Sequence, residues 1–98
     1  MRKFLLSCTF ALLFCVYGFS VQELRFNSAG KFKIVQFTDV HYVPGNEKSN
    51  VALRTITETV DAEHPDLVIF SGDVVTGSPA EQGWKTILDE LEKRSIPF

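Results

Sequence analysis

Two short apolar segments dominate this chain, "KIVQFTDVH" (33–41) and "DLVIFSGDV" (66–74), and each passes abruptly from apolar residues to an aspartate. The stretch between them has room for a helix. Two such strands separated by one helix pair as a βαβ unit, because parallel strands need a crossover connection. The crossover is expected to be right-handed. Parallel strands finish at the same edge of their sheet, so the residues that follow them meet at one rim.

The remaining elements fit around this unit. "ELRF" (Glu23–Phe26) alternates polar and apolar residues, and "NSAG" (Asn27–Gly30) is turn chemistry. Together with the strand at Lys31–Thr38 they predict an antiparallel hairpin. A first helix is expected after "HYVPGNEKSN", capped by Ser49 or Asn50, with Leu53, Ile56 and Val60 toward the core and His64–Pro65 at its end. "DLVIF" (Asp66–Phe70) has the length and β-branched content of a buried parallel strand. Ser78, Pro79 and Glu81 resemble a capping box with proline at the first helical position. Trp84, Ile87, Leu88 and Leu91 follow at helical spacing. Tyr42 reads as loop packing and Trp84 as core. A further strand is expected at Ile96–Phe98, where "RSIPF" resembles the approach to another apolar run. The order is β-β-α-β-α, an incomplete α/β fold without an internal boundary.

The first twenty residues read differently. Arg2 and Lys3 precede an apolar run from Phe4 to Val16, and Gly18 and Ser20 supply small residues. This is the pattern of a secretory signal peptide, removed after Ser20. The run is shorter than the roughly 20 residues of a membrane-spanning helix. The expectation is a secreted or periplasmic protein without a stable membrane anchor, whose domain occupies residues 21–98. Cys8 and Cys15 leave with the peptide, so no disulfide is expected. Ten basic residues become eight against twelve acidic, a net charge of −4. No basic run points to nucleic acid.

Open α/β sheets bind ligands outside the carboxyl ends of their strands. Here the first strand ends in Asp39 and His41 and the second in Asp73. Residues two apart in an extended segment point to one side. A carboxylate oxygen and an imidazole nitrogen can therefore bend onto one cation at roughly 2.0–2.2 Å. Asp73 has two oxygens and can bridge a pair of cations about 3.5–4 Å apart.

"DVH" (Asp39–His41) and "GD" (Gly72–Asp73), on consecutive strands with one helix between, resemble the first two motifs of the calcineurin-like metallophosphoesterases. The resemblance covers residues 31–98 and implies a four-layer αββα sandwich. It also implies a phosphoester substrate and a site of two divalent or mixed-valence ions of manganese, iron or zinc. By that resemblance Asp39 and His41 bind one metal and Asp73 bridges both. A G-N-H-D or G-N-H-E motif, further histidines and the general acid are expected beyond Phe98, so no catalytic acid is assigned within these residues. Purple acid phosphatases, a branch of the same family, carry a tyrosine three positions after the bridging aspartate. That position is Thr76 here, so the broader class fits better.

Other readings compete. "PDLVIF" followed by an aspartate resembles the phospho-acceptor strand of receiver domains, but receivers lack the intervening Ser71 and Gly72. A non-catalytic secreted binding domain on the same scaffold is the remaining alternative.

Overall fold

The computed structural model describes residues 23–98. The expected signal peptide, with both cysteines, lies outside the described residues. Strand β1 (Ile34–Thr38), helix α1 (Glu47–Glu63), strand β2 (Leu67–Ser71) and helix α2 (Ala80–Lys93) follow one another. β1 and β2 pair in parallel, from Ile34 opposite Leu67 to Thr38 opposite Ser71. The α/β class and the βαβ unit are as the sequence implied.

β1 and β2 start in register because Asp66 pins them. Its carboxylate accepts from the Lys33 backbone N–H at 2.7 Å, and its own N–H donates to the Lys33 carbonyl at 2.8 Å. One face of the pair, Val35, Phe37, Val68 and Phe70, packs against the helices. Phe37 and Phe70 stack with centroids 5.7 Å apart, and Trp84 meets Phe70 edge-on at 5.7 Å. Ile56 and Val60 of α1 and Ile87 and Leu91 of α2 are buried, as their helical spacing predicted. Arg94 joins the helices on the outside. Its guanidinium donates to Asp61 of α1 at 2.6 Å and to Glu90 of α2 at 2.8 Å, which holds both carboxyls below their ordinary range; for Glu90 the bond from Lys93 counts first.

Four local expectations are corrected. The leading hairpin does not form: Glu23–Phe26 is not a strand, and β1 begins only at Ile34. Leu24 and Phe26 remain 54% and 74% exposed, so their alternation finds no surface to bury against, and an isolated hairpin is marginal without one. The turn itself survives, with the Asn27 side chain accepting from the N–H groups of Ala29 and Lys31. Helix α1 starts earlier than Ser49 or Asn50, because Asn46 caps it by accepting from the Lys48 N–H at 2.9 Å. Ser49 is buried instead, and its hydroxyl accepts from the Val43 N–H at 2.8 Å.

The capping box at Ser78 is absent too. Pro79 itself is the extended N-cap residue of α2 and no side chain caps the helix. Ser78 thus stands one position too early to reach the first-turn N–H groups. At the chain's far end no strand forms among the described residues, although the Val68 N–H donates to the Pro97 carbonyl at 2.9 Å and Ile96 packs in the core.

Ile87 is fully buried between the sheet and α1. Ile87→Ala is expected to cost about 2–5 kcal/mol, from lost transfer energy plus the cavity left behind. The exposed change Val51→Ala should stay within about 0.5 kcal/mol. Urea unfolding curves check both, and equal midpoints would overturn the assignment of this core.

Candidate metal site

The site grows from the parallel pairing. Beyond Thr38 and Ser71 the two chains stop being strands, yet backbone bonds continue to join them. The Asp39 N–H donates to the Gly72 carbonyl at 2.9 Å, the His41 N–H to the Asp73 carbonyl at 3.0 Å, and the Tyr42 N–H to the Val74 carbonyl at 2.8 Å. Tyr42 and Val75 then form a parallel bridge. The loops therefore leave the sheet side by side.

Within them the backbone bends sharply. Asp39, His41 and Asp73 all adopt the left-handed conformation, with φ of 52°, 52° and 51°, and Gly72 joins them at 48°. This region is open to glycine but costs other residues energy, least for Asn, Asp and His. The chain here leaves extended geometry, so the simple two-apart rule of a strand is replaced by alternating left-handed residues. The outcome is convergence all the same.

One donor atom from each of Asp39, His41 and Asp73 lies within 4.8 Å of the other two, and all three residues are exposed. Nε2 of His41 stands 3.9 Å from a carboxylate oxygen of Asp39. The three expected residues are thus brought together, and the donor set of two carboxylates and one imidazole suits manganese, iron or zinc. Ligand atoms on one ion at roughly 2.0–2.2 Å sit closer to one another than 4.8 Å.

Two neighbouring hydroxyls have partners: Thr38 Oγ1 donates to an Asp39 carboxylate oxygen at 3.4 Å, and Ser71 accepts from Gln36 Nε2 at 2.8 Å. His64 lies at the far end of α1, where it forms the left-handed C-cap and donates to the Val60 carbonyl. A concavity of 380 Å³ at the opposite end of the strands, lined by Phe32, Pro65 and Asp66 among others, holds no cluster of this kind among the described residues. No helix among the described residues is long and apolar enough to cross a membrane. Sequence reasoning missed the left-handed turns, whereas the burial of Tyr42 bears out its reading as loop packing.

Comparison with known proteins points the same way. The sequence model of the calcineurin-like phosphoesterase family matches residues 32–98. The chain is 40% identical over 75 residues to a probable inactive purple acid phosphatase 14 of Arabidopsis thaliana, covering 62% of this chain and 19% of that protein. It is 33% identical over 67 residues to the uncharacterized metallophosphoesterase YkuE of Bacillus subtilis, covering 68% and 23%. It is 34% identical over 80 residues to the phosphatase DCR2 of Saccharomyces cerevisiae, covering 68% and 14%. The chain spans less than a quarter of the length of these relatives. No solved structure matches it.

The left-handed backbone makes a prediction about stability without metal. His41→Gly removes a donor and also relieves a strained φ. In metal-free buffer the variant should be as stable as the parent or more stable by up to about 1 kcal/mol. Thermal melts in chelator test this, and a clear destabilisation would show that the imidazole contributes contacts of its own.

Proposed function

This chain belongs to the calcineurin-like phosphoesterase family, and from that premise we propose that the whole protein hydrolyses phosphomonoesters or phosphodiesters at a site of two metal ions. The observation that carries the reading is the convergence of Asp39, His41 and Asp73 within 4.8 Å at the carboxyl ends of two paired strands. When bound, such ions supply Lewis acidity toward the phosphoester oxygens and toward the attacking water.

Everything else falls to the chain. Asp39 and His41 offer one hard oxygen and one borderline nitrogen from a single loop, a set suited to one ion. Asp73 stands on the neighbouring loop, and its second carboxylate oxygen would be free to hold the other ion. Two negative carboxylates offset the charge that two cations would otherwise concentrate. Their exposure leaves room for a phosphoester beside them. The remaining ligands and the general acid are assigned to parts of the whole protein outside residues 1–98.

A second reading is a non-catalytic binding domain on the same scaffold. The plant relative favours it, since its name carries the words "probable inactive". One experiment separates the two. In the whole protein, Asp73→Asn keeps the shape and tolerates the left-handed backbone, but loses the charge. Assayed on an aryl phosphoester across added manganese, zinc and iron, it should lose more than about a hundredfold in rate. Asp39→Asn should be less damaging, and His41→Ala least and partly rescued by excess metal. Activity of Asp73→Asn within threefold of the parent would overturn the bridging role. A parent protein that binds metal yet hydrolyses nothing would favour the binding domain.

Export belongs to the same proposal, and the support is the basic start, short apolar run and small residues of Met1–Ser20. Mass spectrometry of the mature protein is expected to find Val21 at the N-terminus. Intact Met1 on protein recovered from a cytoplasmic fraction would overturn it.

A further inference from the structure

The two loops that carry Asp39, His41 and Asp73 run on beyond the ends of the strands, and their separation decides whether three donors meet. Tyr42, the residue directly after His41, has the bonds and the burial for that task. Its N–H donates to Val74 at 2.8 Å, and its carbonyl accepts from the N–H groups of Thr76 at 3.0 Å and Gly77 at 3.3 Å. Through its backbone alone, Tyr42 thus grips three positions of the loop that follows Asp73.

Its side chain fixes the grip to the body of the protein. Tyr42 is only 6% exposed and sits in the core cluster with Ile56, Val74 and Ile87. Gly83, in the first turns of α2, is where the ring comes to rest. A Cβ on Gly83 would stand 3.3 Å from Cδ1 of Tyr42 and 2.7 Å from Cγ1 of Val75, the residue that bridges Tyr42. The loops touch once more where a Cβ on Gly77 would lie 2.6–2.9 Å from Val43. The glycines therefore permit an approach that side chains would prevent, and the buried ring keeps it in place.

We propose that Tyr42 is a positioning residue for the metal site: its ring, seated on Gly83, sets the distance between the Asp39–His41 loop and the Asp73 loop. The inference rests on the metal-site reading given above. It assigns no contact between Tyr42 and a metal or substrate. Its action passes through the backbone, one residue from His41 on one side and one from Asp73, at Val74, on the other. Partners that hydrogen-bond to metal ligands alter metal affinity by about 10–100-fold when removed, and a residue that sets the spacing of two ligand-bearing loops is expected to fall in that range.

The test uses the whole protein and manganese alone. Calorimetric titration and manganese-dependent hydrolysis of an aryl phosphoester both give a metal midpoint. Tyr42→Ala should raise that midpoint at least about tenfold, with a folded far-ultraviolet circular dichroism spectrum. Gly83→Ala, whose Cβ would press on Val75 at 2.7 Å and on the Tyr42 ring at 3.3 Å, should raise it as well, and stands in if Tyr42→Ala does not fold. Tyr42→Phe, which keeps the ring, should restore the midpoint. Leu91→Ala, in the second core cluster away from the loops, supplies the comparison: it lowers stability through the core without touching the loops. A midpoint raised equally by Leu91→Ala, or unmoved in a folded Tyr42→Ala, overturns the positioning role, as does an unmoved Gly83→Ala where Tyr42→Ala does not fold. Failure of the parent protein to bind manganese would instead count against the metal-site reading itself.

Discussion

The parallel register between Ile34–Thr38 and Leu67–Ser71 is the constraint on which the other features depend. It places two chain ends at one edge, and it carries on as backbone bonds through Asp39, His41 and Tyr42 after the strands have ended. Slipping it by one residue would turn Val35, Phe37, Val68 and Phe70 away from the helices, because side chains alternate along a strand. Asp66 guards against that slip at the start of the sheet, where its carboxylate and its N–H both engage Lys33. The packing of α1 and α2 onto one face then makes the register worth keeping, since two strands alone are marginal.

The site trades backbone comfort for convergence. Three left-handed residues in two short loops would each cost energy. Aspartate and histidine are among the residues that tolerate the conformation best, so the residue types that suit metal binding also suit the bend. The N–H groups of Asp39 and His41 donate to the opposite loop, which keeps the turn paired in spite of its geometry. Because the donor side chains are exposed, their carboxylates keep their hydration and need no burial cost repaid.

Much of this was legible in the sequence, and the remainder failed for local reasons. The βαβ unit, the core faces of both helices and the Asp39–His41–Asp73 convergence follow from apolar periodicity and strand ends, which are strong signals. The leading hairpin was misread because alternation at Glu23–Phe26 says nothing about whether a surface exists to cover Leu24 and Phe26. Helix starts were misread because several residues could cap. Asn46, Ser49 and Asn50 are chemically similar, and tertiary packing chose Asn46 for the helix and buried Ser49 against Val43. At α2, Ser78 had suitable chemistry but the wrong position by one residue. Left-handed φ at non-glycine residues leaves almost no trace in sequence.

The two faces of the sheet explain why β2 reads as an unbroken apolar run. Val68 and Phe70 turn toward the helices, whereas Ile34 and Ile69 lie on the opposite face and are exposed among the described residues. A sheet with water on one side would carry alternating polar residues there, whereas strands apolar on both sides belong to sheets covered on both. Strand β1 does place polar Gln36 and Thr38 on that second face, where Gln36 donates to Ser71 at 2.8 Å. The pattern of an inner layer therefore belongs to β2. It accords with the four-layer αββα sandwich implied by the family resemblance.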